Sequence, residues 1–185
     1  MPGLRRVLAW HAAAGLLTCM PALAPGADLA FRAGEGDRVR SAAAAMQWAL
    51  LDSLPCTAAC TARLHLQGGV GYWWLPYDSS GDSLWDWSLT PMLIIANGKV
   101  PAPVALELGV GVHYFSHDAL ASIRNFGSRW QWGEFIGAAF PLGEDPGKAL
   151  TVRLEHVSNG GFAAPNNGVT FLSVGLRFRL GGAGP

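Results

Sequence analysis

Lys148-Ala-Leu-Thr-Val-Arg-Leu-Glu-His-Val-Ser-Asn159 decides how this chain is read. Leu150, Val152 and Leu154 alternate with Thr151, Arg153 and Glu155, and a period of two marks a strand with unlike faces. The apolar parity ends on His156 and Ser158. Residues i and i+2 of a strand point the same way, with Cα atoms roughly 6.5–7 Å apart. A base and a hydroxyl therefore stand side by side at the end of a greasy stripe. Serine is a poor nucleophile until a neighbouring base takes its proton, so the pair suggests an esterase whose substrate lies in a membrane.

The same alternation recurs along the chain. Turn signals separate it into about eight strands, at 29–34, 38–50, 62–75, 84–96, 104–115, 126–140, 148–159 and 168–180, the number found in the smallest common outer-membrane barrels. Asp78-Ser-Ser-Gly81, Asn97-Gly98 and Asp145-Pro146-Gly147 mark turns, through residues that tolerate tight backbone or fix φ. The run Ala42 to Ala45 favours a helix in isolation. Apolar sets such as Leu64, Leu66, Val70, Tyr72 and Trp74 oppose polar ones such as Arg63, His65 and Gln67. Placed inside a narrow barrel, Arg63, Glu107, Arg153, Glu155, Arg177 and Arg179 can pair with one another, leaving no open channel. A small pore or carrier is disfavoured on that ground. At Glu134 a charge falls on the apolar parity, and a bulge near Gly133 is the ordinary explanation.

Composition agrees with a membrane barrel. Of 185 residues, 13 are basic and 13 acidic, a balance that gives no argument for nucleic acid. Charged residues make up 14%, against about 25% in ordinary soluble proteins. Trp73, Trp74, Trp85, Trp87, Trp130 and Trp132 fall near strand ends, as an interfacial aromatic belt would. Arg5 and Arg6 precede the small-residue apolar stretch 7–24, the layout of a signal peptide. The expected organisation is a signal peptide over 1–27, its cleavage site open, and one barrel domain over 28–185. No later apolar run is long enough for a helical span. Export favours a local disulfide between Cys56 and Cys60, and no accompanying His or Cys pair suggests zinc. With both termini periplasmic, odd-numbered strands run outward, so His156 and Ser158 reach the outer rim and the Cys56–Cys60 turn stays periplasmic.

The segment His156-Val-Ser158-Asn159-Gly160-Gly161, followed by Pro165-Asn166-Asn167-Gly168-Val169, resembles the PagL-type lipid A 3-O-deacylase family. Weaker similarity runs through Leu89-Thr90-Pro91-Met92, Glu107-Leu108-Gly109-Val110-Gly111 and residues 126–137. The resemblance implies an all-β, eight-stranded antiparallel transmembrane barrel in a Gram-negative outer membrane. It would hydrolyse the ester-linked 3-O-acyl chain of lipid A, the lipopolysaccharide anchor in the outer leaflet, without metal or organic cofactor. By position, Ser158 is the nucleophile and His156 the general base. The Asn166 side chain and the Gly161 N–H serve the oxyanion, and Asn159 supports the site. One position departs from the family. Its triad glutamate falls on Thr170, and no Asp or Glu follows Glu155. A threonine hydroxyl can hold the imidazole tautomer but cannot neutralise imidazolium. The resemblance therefore implies a weakened enzyme, or one using an acid from another strand. A different class of function also stands: an inactive barrel of the same fold with a structural or lipid-binding role. A homodimer is compatible with the sequence.

Overall fold

The computed structural model describes residues 26–56, 60–76, 82–97, 104–122 and 124–180. Residues 1–25 of the expected signal peptide, the turns expected at 78–81 and at Gly98, and residues 181–185 lie outside the described residues. Eight long strands form: β1 (Asp28–Gly36), β2 (Val39–Leu54), β3 (Cys60–Trp74), β4 (Ser83–Asn97), β5 (Ala105–Phe115), β6 (Trp130–Leu142), β7 (Asp145–Ser158) and β8 (Val169–Arg179). Each runs antiparallel to its neighbours in chain order, and β1 pairs with β8 to close an all-β barrel. Closure removes the unpaired sheet edges that a flat eight-stranded sheet would expose.

Local chemistry explains the connections. Asp37 and Arg38 take φ of 51° and 66° between the paired residues Gly36 and Val39, a two-residue turn whose twist suits a hairpin. Gly143, with φ 67°, turns β6 into β7, so β7 starts at Asp145 rather than at the expected Lys148. The Asp145 carboxylate then accepts the Gly147 N–H at 2.9 Å, a local Asx turn. The alanines of β2 stay extended because they are paired on both sides, Ala43 with Arg32 and with Gly71. Cross-strand pairing outweighs their helical preference. Cys56 and Cys60 are joined in a disulfide with Cα atoms 5.8 Å apart, at the end of the barrel opposite the β7–β8 connection.

The two parities meet different surroundings. Inward residues build a charged middle layer: Glu107 bridges Arg153, at 3.3 Å, and Arg177. Asp28 takes Arg179 at 3.3 Å, Gln47 donates to Gln67 at 3.0 Å, and the Arg153 guanidinium lies 3.5 Å from the centre of the Phe135 ring. Buried charges persist only when paired and hydrogen-bonded, and this network supplies both. Outward residues such as Leu154, Leu172, Val174 and Ile136 are exposed and apolar, the greasy exterior of a membrane barrel.

Two expectations need correction. Trp73 does not belong to the outer belt; it is 3% exposed inside the barrel, on the parity of His65 and Gln67. It packs edge-on against Phe115 and Phe171, with ring centres 4.8 and 4.6 Å away. Phe126 does not start a strand. Residues Ala119–Leu120 and Arg124–Asn125 form a small separate ribbon, which drops Leu120 and Phe126 into the barrel mouth. With Val39, Leu84, Val157, Val169 and Phe171 they make an apolar plug. The plug fills the end of the barrel where β7 finishes.

Candidate functional site

His156 and Ser158 close β7 on its outer face, and Val157 between them points into the plug with 0% exposure. Neither the imidazole nor the hydroxyl turns into the lumen. Thr170 on β8 is the direct partner of His156 in the ladder, and its Oγ1 lies 2.9 Å from His156 Nδ1. This is the contact expected of the triad's third member, made here by a hydroxyl. A hydroxyl accepting from Nδ1–H leaves the Nε2 lone pair free to act as a base. Glu155 faces the lumen among Arg32, Arg153 and His113, out of reach of the outer face.

The strand on the other flank was misjudged from sequence. β6 pairs Trp132 with Ser158, Gly133 with Val157 and Glu134 with His156, consecutively and without a register shift. There is no bulge at Gly133, and Glu134 faces outward beside His156. Its parity was the signal, and the bulge explanation set it aside.

The loop 159–168 is organised around Asn159, which is 1% exposed. Its side-chain amide donates to the carbonyls of Phe126 at 2.7 Å and Ala163 at 2.8 Å, and its Oδ1 accepts the Gly161 N–H at 2.8 Å. Its own N–H donates to Asn166 Oδ1 at 3.0 Å. Asn159 thus holds the loop together. Asn166 is fixed by its oxygen, and its amino end is directed to no partner among the described residues. The Gly161 N–H expected at the oxyanion is engaged by Asn159. The Gly160 N–H instead points at Ser158 Oγ, at 3.4 Å, a donor that sequence could not reveal because its direction depends on backbone angles.

Contacts from the neighbouring connections brace this loop. Gly127 (φ 69°) approaches so closely that a Cβ there would collide with the Pro165 carbonyl. Arg124 donates to the carbonyls of Gly168 at 2.9 Å and Asp37 at 2.7 Å, and the Thr170 N–H donates to Asp37 Oδ2 at 2.9 Å. Gly168 lies against His156 and Ser158: a Cβ added there would sit 2.8 Å from Ser158 Cβ and 2.9 Å from His156 Cε1. Around the site the outer surface is aromatic, with Trp130 64% and Phe162 81% exposed. Among the described residues no group of three or more His, Cys, Asp or Glu could hold a metal ion.

The family model described as lipid A 3-O-deacylase (PagL) matches residues 54–179. Among solved structures, the crystal structure of the outer membrane enzyme PagL superposes with a TM-score of 0.71 at 22% identity, covering 82% of this chain and 98% of that one. A de novo designed transmembrane β-barrel superposes with a TM-score of 0.52 at 14% identity, covering 84% of this chain and 97% of that one. No curated protein sequence matches the chain. At these identities the structural matches speak for the fold, an outer-membrane-type barrel. The family model spans more than half of the chain, from the end of β2 to the last residue of β8, and on that ground the chain belongs to the lipid A 3-O-deacylase (PagL) family.

Proposed function

We propose that this protein, exported by its signal peptide, is an outer-membrane serine esterase that removes the 3-O-acyl chain of lipid A in the outer leaflet. The observation that carries the reading is the shared outward face of His156 and Ser158 at the barrel lip, with Thr170 held to His156 Nδ1. The chemistry follows from those positions. His156 Nε2 takes the proton of Ser158 as Oγ bonds to the ester carbonyl carbon. Reaching the imidazole requires a rotation of Ser158 about χ1, away from the Gly160 N–H; catalytic hydrogen bonds are often loose before substrate arrives. The oxyanion then meets the Asn166 amide and the Gly160 N–H that Ser158 Oγ releases, donors of the kind that stabilise such charge. Collapse breaks the bond to the lipid A 3-oxygen, which leaves as a hydroxyl with the imidazolium proton. Water, giving a proton to His156, cleaves acyl-Ser158; the serine recovers its proton and a fatty acid departs. The acyl chain has a surface to lie on in the outward apolar side chains Leu154, Leu172 and Ile136.

The test is mass spectrometry of lipid A after incubation with the purified barrel. Loss of one 3-hydroxyacyl group, abolished by Ser158→Ala, is the expected result; an unchanged spectrum overturns the reading. One observation favours a second reading, a non-catalytic barrel with a structural or lipid-binding role: the position of the triad acid is Thr170. That reading predicts unchanged lipid A together with retained binding of lipopolysaccharide.

A further inference from the structure

His156 has two cross-strand neighbours on the outer face, and Thr170 is only one of them. On β6, Glu134 stands directly opposite. Directly opposed residues on one face of an antiparallel ladder have Cβ atoms about 4.5–5.5 Å apart, so a glutamate carboxylate reaches the edge of an imidazole without backbone movement. Its outward direction is secured by its chain neighbours, since Gly133 and Phe135 are both buried on the inner side.

The rest of its surroundings are apolar. Val110 opposes it on β5, Trp132 and Ile136 flank it along β6, and Leu154 is diagonal to it on β7. An ionised carboxylate facing hydrocarbon is costly, and ionisable groups at such depth pair with one another. His156 is the ionisable group beside it on that face. The other charges near His156 are placed differently. Asp37 lies beyond Thr170, two strand spacings or about 10 Å from β7, and its carboxylate is bound to the Thr170 N–H. The Arg124 guanidinium is bound to the carbonyls of Gly168 and Asp37. Glu155 faces the lumen. Glu134 is the carboxylate one strand from the base.

We propose that Glu134 is a positioning residue for His156, stabilising the imidazolium that forms when His156 takes the Ser158 proton. Thr170 meanwhile holds Nδ1 and so keeps the reactive tautomer. The two tasks of a triad carboxylate are thus divided between the strands flanking β7: a hydroxyl from β8 orients the ring and a charge from β6 balances it. This rests on the esterase reading and explains how the chain can carry threonine at position 170.

The test compares the purified barrel with its Ser158→Ala, Glu134→Gln and Glu134→Gln/Thr170→Glu variants in detergent micelles with lipopolysaccharide. Glu134→Gln is expected to lower kcat about 10²-fold, within the range for acid–base contributions, with KM little changed. Restoring a carboxylate on the other flank, in the double variant, should recover much of the rate; a merely structural role for Glu134 would not be rescued from β8. If Ser158→Ala is inactive while Glu134→Gln keeps the wild-type kcat, the proposal is overturned. A double variant as slow as Glu134→Gln overturns it too. Should the wild-type barrel release no acyl chain, the esterase reading fails by itself. The His156 ring signals, followed by NMR, then decide the pairing: a change in their position in Glu134→Gln supports it, and unchanged signals refute it.

Discussion

Replacing Gly168 by alanine adds one methyl group at the most sensitive point of the site. The backbone of Gly168 is outside the left-handed region, so alanine meets no conformational barrier. The obstacle is space. The added carbon would lie 2.8 Å from Ser158 Cβ, 2.9 Å from His156 Cε1 and 3.0 Å from the Val157 carbonyl oxygen. Relaxed carbon–carbon contacts sit at about 3.5–4.0 Å, so Ser158, His156 or both must yield by about 1 Å. A displacement of that size costs on the order of 10²-fold in rate, equivalent to about 2.7 kcal/mol in the barrier. Overpacking costs about 1–3 kcal/mol of stability where the surroundings cannot move, and here one side of the site is open. The variant is therefore expected to fold and to fail. Deacylation of lipopolysaccharide by the purified variant, followed by lipid A mass spectrometry over time, measures the loss. Gly143→Ala, which strains a positive φ at the opposite end with nothing within 4 Å, serves as the control and should keep its activity. A folded Gly168→Ala barrel with the wild-type rate would refute the claim that Ser158 and His156 work as a pair at this position.

Three further outcomes are expected. Asn159→Ala removes the donor to the Phe126 and Ala163 carbonyls; at about 1–3 kcal/mol per buried group left unpaired, the loop should loosen and activity vanish while the barrel keeps its heat-modifiable gel mobility. Retained activity would show that the loop is held by other means. Glu107→Ala removes the carboxylate partner of the buried Arg153 and leaves Arg177 with Asp28 at 3.8 Å; it should cost about 3–5 kcal/mol, read from the urea midpoint in detergent, and an unchanged midpoint would refute the buried network. Ile136→Lys puts a charge on the outer face at the middle of β6 and should cost about 2–4 kcal/mol in folding into lipid vesicles. No cost there would place that face away from lipid.

Much of the fold was legible because strand alternation is a local signal. The polar parity of Arg153 and Glu155 against Leu154 and His156 identifies both the element and its two environments, and the barrel needs nothing more than seven such repeats joined in order. The same parity already assigned Trp73 to the side of His65 and Gln67, yet composition argued for an aromatic belt and prevailed. Parity was the sounder guide. Phe126 had no comparable signal. Its inward turn depends on a connection that folds back over the barrel mouth, a long-range packing event that no periodicity records. In the site, the spacing of His156, Ser158, Asn166 and Thr170 was visible along the chain, whereas the neighbour on β6 was not. Which residue of β6 faces His156 follows from register, and register is set by turn geometry and burial across the whole sheet. The engagement of the Gly161 N–H and the aim of the Gly160 N–H are likewise products of backbone angles rather than of residue type.

The placement of the apolar plug bears on how such a site can work at all. His156, Ser158 and Thr170 lie on the outside of a single-layered wall, where Gly168 is packed against the first two. A site of this kind needs support that fixes its rotamers and backbone, and much of it comes from the inner side. Val157 is fixed between His156 and Ser158, and Val169 and Phe171 flank Thr170; all three are at most 2% exposed within the plug. Because successive residues of a strand share one backbone and point to opposite faces, immobilising the inner set immobilises the outer one. The ring of Trp73, against Phe115, Phe126 and Phe171, anchors β3, β5, the β5–β6 connection and β8 together at this level. The charged network lies deeper, among Asp28, Glu107, Arg153 and Arg177. Behind the site, at the level of Gly133 and Val157, the polar group is His113, whose Nδ1 is bonded to the Asp86 carboxylate at 3.0 Å. The aromatic plug around that pair supplies the rigidity, which gives a physical reason for the apolar layer to sit at the lip and the larger ionic network below it.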